Sequence, residues 1–294
     1  MGFKGIYKDK SSISKVGILF ILMVISGILH VLAAIALISL FSNSGMAFFQ
    51  SQDLTNQISV NYLKLMQFFS GIGIFITPTL LYAFLIDFDF KFNSISRQNI
   101  ILGIAIIMLI TPFIGLLLEW NMTIPLPECI SNLHVDNNAI IVAFLKMETI
   151  WDLLYTLIVI AVVPAIGEEL FFRGYLQKEL ADWIKNPKIS ILITALLFSA
   201  IHLDFHAFIP RFVLGILLGY LYYWSQSLLL PILAHFVNNA QAVIFSFYLF
   251  KLESGSYSFF SEIKISPTLA IFSFFSVVLL LYILHQNIKR EKVD

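Results

Sequence analysis

One cysteine, Cys129, serves the whole chain. That excludes an internal disulfide and any cysteine-rich metal centre. Formal charge is also scarce. Only 12% of the 294 residues are Asp, Glu, Lys or Arg, against about 25% in an average soluble domain. The net charge is zero, so the balance supports neither a nucleic acid nor an acidic partner. No His-Glu-x-x-His sequence occurs, and no serine or cysteine sits in a motif that would make it a nucleophile. No low-complexity tail, linker or short-period repeat divides the chain. It reads as a single membrane domain over residues 1–294.

What is present is apolar. Hydrophobic residues make up 59% of the chain, 29 of them Phe, and the mean hydropathy is +0.89. A helix needs about 20 apolar residues to cross the hydrocarbon of a bilayer. The uncharged runs therefore predict an all-α, polytopic membrane helix bundle of about eight transmembrane helices. The expected spans are 17–41, 64–86, 99–118, a fourth from about 148 to 183, a short fifth at 189–203, then 207–224, 228–250 and 267–286. The first run is too long for a signal-peptide core. Pro78 and Pro112 are expected to kink the second and third helices. Asn138 to Glu148 reads as an interfacial helix, and 251–266 as a polar loop. Gly215 and Gly219 form a small-xxx-small pair suited to close helix packing. His30, inside the first span, reads as a packing or interhelical hydrogen-bond residue. Eight spans put both termini on one side. Lys and Arg concentrate at the N-terminus, 87–98, 178–188 and the C-terminus, so that side is expected to be the cytoplasm of a bacterial cell.

Against this background a few polar residues stand out, and ionisable groups at membrane depth are functional candidates. They are Glu168, Glu169, Arg173, His202, His235 and Asn239. At about 1.5 Å of rise per residue, Glu168 lies roughly 25 Å along its helix from Lys185, and His202 roughly 21 Å from Lys188. His235 and Asn239 lie roughly 12–18 Å from Ser227. Three segments can thus bring polar groups to one slab. Glu169 and Arg173 are spaced i,i+4, the favourable order for an acid–base pair. Glu168, about 100° around the helix, points away from that pair. His235 and Asn239 share a face in the same way, as do Phe198 and His202, while Asn238 sits off that face. Singly, each has a structural reading: an ion pair or anchor for Glu168, Glu169 and Arg173, a packing role for His202, an interhelical hydrogen bond for His235 and Asn239. Asp204, His206 and Arg211 read as surface or snorkelling residues. Jointly, the buried set suggests chemistry, because each buried polar group needs its own partner.

One carboxylate and two imidazoles in a membrane cavity suggest hydrolysis. Glu168 can take a proton from water with His202 helping to position or activate it. His235 and Asn239 are natural donors to a developing oxyanion. The other route is a three-ligand zinc site of Glu168, His202 and His235 with an open position for water. Sequence alone does not separate the two. No cofactor is required on the first route, and zinc is the cofactor of the second.

Glu168-Glu169-x-x-x-Arg173, Phe198-x-x-x-His202 and His235-x-x-x-Asn239, on successive helices, resemble the CPBP family of intramembrane proteases, similar to the type II CAAX prenyl endopeptidases and also called the Abi family. The resemblance covers a core of about 150–245 and is silent on residues 1–149. It implies that Glu168 and His202 activate water, that His235 and Asn239 form the oxyanion hole, and that Glu169 and Arg173 support the site. It also implies an endopeptidase acting on a membrane-associated protein or peptide, prenylated in some relatives, within the lipid bilayer. Two other classes stay open: a non-catalytic membrane scaffold or bacteriocin self-immunity protein with the same fold, and a transporter using Glu168 as a proton-coupling group.

Overall fold

A computed structural model of the protein describes residues 3–41, 53–131, 138–252 and 264–291. Every regular element among them is helical. The main helices are α1 (Ser12–Phe41), α2 (Gln57–Ile86), α3 (Arg97–Met122), α4 (Asn138–Leu145), α5 (Ile150–Ile184), α6 (Pro187–Ala200), α7 (Phe208–Ser225), α8 (Leu229–Leu252) and α9 (Pro267–Glu291). Among the described residues, seven helices are long and apolar enough to cross a membrane: α1, α2, α3, α5, α7, α8 and α9. The protein is an integral, multi-pass membrane protein. The expected eighth, the short span at 189–203, is α6. Its 14 residues rise only about 21 Å, short of the roughly 30 Å of hydrocarbon. The expected polar loop at 251–266 falls largely on residues 253–263, which lie outside the described residues.

Local chemistry sets the helix ends. Asn56, Ser96 and Asn186 each accept a backbone N–H in the first turn of the following helix. Thr149 and Asp152 make a reciprocal capping box at the start of α5. Asp87, Lys185 and Gln226 end α2, α5 and α7 in left-handed conformation. Asp87 also accepts from Lys4 and Lys8, at 3.1 and 3.0 Å, which ties the N-terminal segment to the end of α2.

Two prolines explain an irregularity that helical periodicity does not foreshadow. Residues 72–76 of α2 and 157–162 of α5 are π-helical. Each run ends just before a proline, Pro78 or Pro164. Proline has no N–H to give, and its ring crowds the carbonyl one turn back. The N–H groups of Thr77 and Val163 reach the carbonyls of Ile72 and Ile158, five residues back. The wider turn keeps backbone groups bonded where lipid offers no substitute. Pro112, by contrast, lies inside an uninterrupted α3.

The chain groups into two compact units, 1–90 with 138–171 and 242–255, and 91–137 with 172–241 and 256–294. In the first, α1, α2 and the leading part of α5 approach closely at glycines. A Cβ on Gly73 would lie 2.5 Å from the Cβ of His30, and one on Gly71 would lie 2.8 Å from Val163. His30 is the interhelical residue its position suggested: Nδ1 donates to the Ser26 carbonyl at 2.9 Å, and Nε2 lies 3.3 Å from the Thr77 hydroxyl. The helix carrying the second span begins at Gln57, two turns before the expected Lys64. Lys64 is therefore inside it, fully buried, with Nζ donating to the Thr156 hydroxyl at 2.8 Å.

In the second unit, a core of α3, α7 and α9 side chains centres on Ile106, Leu218 and Leu284. Helices α6 and α7 pack at the glycine pair, where a Cβ on Gly215 would meet Ala195 at 3.1 Å and one on Gly219 would meet Ile191 at 2.8 Å. Asn121, at the end of α3, donates to the Phe205 carbonyl and accepts from the Ile209 N–H, which fixes the turn between α6 and α7. Arg211 and Asp204 pair across that turn at 2.8 Å. With His206 they are half-buried rather than surface residues.

Overpacking a tight core contact costs about 1–3 kcal/mol. Gly219→Val should therefore lower the midpoint of thermal unfolding in detergent. Gly17→Val, where a new Cβ meets nothing within 4 Å, should leave it unchanged.

Candidate active site

Each unit is built around its own share of the polar residues. In the first, Pro164 opens a short α-helical stretch, Val163–Glu169, that ends on the two carboxylates. Gly167 lets this stretch lie against α2, since a Cβ there would sit 3.0 Å from Phe75 and Ile76. Two residues beyond Glu169, the Phe171 ring packs edge-on against Phe75 and Phe20. Glu168 is 8% exposed and Glu169 0%. Both remain on α-helical backbone, so the expected angular separation between them holds.

The run that follows, Leu170–Leu176, is π-helical. The spacing from Glu169 to Arg173 therefore crosses from α- into π-helical geometry and is not the simple i,i+4 face that the sequence spacing predicts. π-helical turns are rare and concentrate at functional sites.

In the second unit, Arg173 is 0% exposed. Its Nη2 donates to the Gly215 carbonyl at 3.0 Å. Its guanidinium lies over the Phe198 ring at 4.6 Å and near the Phe172 ring at 5.9 Å. One turn on, Gln177 Nε2 donates to the Gly219 carbonyl at 3.1 Å. The two bonds form matching rungs between the end of α5 and α7. Gly215 and Gly219 thus supply carbonyl acceptors as well as room for α6.

Phe198 is the hub of this unit. Its ring meets those of Phe172, His202 and His235 edge-on, at 5.2, 5.4 and 5.9 Å between centroids. Arg173, His202 and His235 are brought together around one aromatic ring. His202, expected inside a span, sits instead in the turn after α6, which ends at Ala200, because the chain turns through a left-handed Leu203. The spacing from Phe198 still matters, since His202 Nδ1 bonds the Phe198 carbonyl at 2.8 Å. A carbonyl only accepts, so Nδ1 is the donor in this bond.

His235 is nearly fully buried on α8, and Asn239 is half-buried one turn along. Asn238, which lies off their face by spacing, donates to Asn239 Oδ1 at 3.0 Å. Oδ1 is thus the acceptor end of the Asn239 amide and Nδ2 its donor end. The adjacency of two asparagines is the signal in the sequence for this contact. Lys64 escapes a reading by charge for a different reason: a charge marks the edge of a span in that reading. Among the described residues, no group of three or more His, Cys, Asp and Glu is placed to hold a metal ion.

Comparison with known proteins falls on the same stretch. The family model for the Rce1-like type II CAAX prenyl endopeptidases matches residues 150–241. The chain is 34% identical over 92 residues to the membrane-embedded CAAX protease MroQ of Staphylococcus aureus, covering 29% of this chain and 37% of that protein. It is 31% identical over 88 residues to the uncharacterized protein YpbD of Bacillus subtilis, covering 29% of this chain and 42% of that one. The chain thus spans less than half the length of these curated relatives. No solved structure matches. Through residues 150–241, which hold all three motifs, the chain is similar to the Rce1-like type II CAAX prenyl endopeptidases.

Proposed function

We propose that the protein is an intramembrane endopeptidase that hydrolyses a peptide bond of a membrane-associated protein or peptide with an activated water. The observation that carries this reading is the family match at 150–241, which encloses every polar residue singled out by depth and spacing. In the proposed division of labour, Glu168 takes a proton from the water and His202 helps to orient it through Nε2. The water oxygen bonds to the carbonyl carbon, and collapse of the tetrahedral oxyanion breaks the C–N bond as the proton passes from Glu168 to the leaving amine. His235 and the Nδ2 group of Asn239 donate to the oxygen that becomes negative. Preorganised donors of this kind are worth about 3–4 kcal/mol each in a water-excluded site. Glu169 and Arg173 hold the backbone rather than react.

The burial of Glu168, Glu169, Arg173 and His235 supports the reading, because charged groups inside an apolar bundle are retained at a cost. The Nδ1 bond of His202 holds the ring, which supports an orienting role for its other nitrogen. No metal is required on this route.

Mass spectrometry of peptide termini tests the activity across all membrane proteins at once, with no substrate chosen beforehand. Membranes holding the wild-type protein should show new termini that are absent with Glu168→Gln and with His202→Gln. Their formation by purified, zinc-free protein should survive chelators. Identical termini in all three samples would support a non-catalytic scaffold or immunity protein, and loss of activity on chelation would support the zinc route.

Arg173→Lys keeps the charge but loses the guanidinium contact with Phe198 and the fixed donor to Gly215. A desolvated cation–π contact and a charged hydrogen bond together suggest a loss of about 2–4 kcal/mol. The thermal midpoint in detergent should fall accordingly. An unchanged midpoint would show that the guanidinium is not what holds α5 to α7.

A further inference from the structure

The second unit carries an apolar groove of about 620 Å³. Its walls are Ile110 and Phe113 of α3, Ile216 and Leu217 of α7, and Val277 and Leu281 of α9. The α7 residues that reach it recur at three- and four-residue intervals from Val213 to Trp224, so they form one helical face. Gly215 and Gly219 occupy another face, packed on α6.

Two features say what fits this groove. Its extent along α7, from Val213 to Trp224, is roughly 16 Å. That is close to half of the roughly 30 Å hydrocarbon core, the depth of one leaflet. Its mouth is cationic and aromatic. Lys188 and His285 line the groove, and His285, Trp224 and Lys289 continue into an adjoining recess of about 290 Å³. The Trp224 ring lies 4.9 Å from the His285 ring. Neither lysine makes an ion pair among the described residues. Trp and Tyr favour the headgroup level of a membrane, and basic pockets between transmembrane helices bind anionic headgroups.

We propose that this groove is a binding site for an anionic phospholipid. One acyl chain lies along α7, and the phosphate of the headgroup sits against Lys188, His285 and Lys289. A zwitterionic lipid has the same chain, but its headgroup cation is repelled by the same lysines. The α7 residues of the groove lie on a different face from Gly215 and Gly219, and α6 reaches the site through Lys188 in its first turn. A bound lipid would therefore back the helix whose Gly215 carbonyl receives Arg173.

Tryptophan quenching in nanodiscs tests the assignment with the full-length protein. The probes are phosphatidylglycerol and phosphatidylcholine with brominated acyl chains, and the Trp224 signal is the difference between wild type and Trp224→Phe. Brominated phosphatidylglycerol should quench that signal several-fold more strongly at equal mole fraction. The double variant Lys188→Gln/Lys289→Gln should lose the preference; both lysines are exposed, so the core is untouched. Ile216→Phe, which fills the groove, should weaken quenching by both lipids. Equal quenching of the wild type, or a preference unchanged in the double variant, would overturn the proposal. So would a dimer that shields Trp224 from both lipids.

Discussion

A guanidinium that is fully dry must find its partners within the protein, and the second unit is arranged to supply them. Arg173 reaches across to the carbonyl of Gly215 and lies over the Phe198 ring. Because Phe198 is held there, the two imidazoles have a common surface to pack against. Because α7 has no side chain at residue 215, α6 can come close enough to put Phe198 in reach. Removing any one of these elements leaves a buried charge without its setting. That asymmetry makes a broken buried network far more costly than a missing surface contact.

The first unit solves a related problem with backbone rather than side chains. Its helices must bring Glu168 and Glu169 into an apolar bundle without leaving carbonyls unbonded. The π-helical runs before Pro78 and Pro164 let the chain pass a proline with five-residue bonds in place of the lost ones. The glycines at 71, 73 and 167 then allow helix backbones to approach. Irregular helical geometry is tolerated at membrane depth only where the protein itself satisfies it. Here it surrounds the segment that carries the carboxylates.

Much of this is legible in the residues. Long uncharged runs locate every long helix, since lipid penalises charge more strictly than water rewards periodicity. The position of His30 inside the first uncharged run fits the interhelical contact it makes with Thr77. Other features are not legible. Reading a charge as a membrane boundary sets Lys64 at a helix start, although Thr156 accepts its ammonium deep in the fold. The end of α6 before His202 depends on a left-handed Leu203, a conformation that nothing in that residue type announces. π-helical stretches have no sequence signature of their own.

The central claim is that Glu168 and His202 act on one water molecule. The most direct measurement is a double-mutant cycle on the peptide bond found by terminus profiling, comparing Glu168→Gln, His202→Gln and the double variant in purified, folded protein. If both residues serve one step, either single change should cost nearly as much kcat as the two together, as for groups that act as a unit. Losses that simply multiply, or a variant that retains wild-type turnover, would contradict the account.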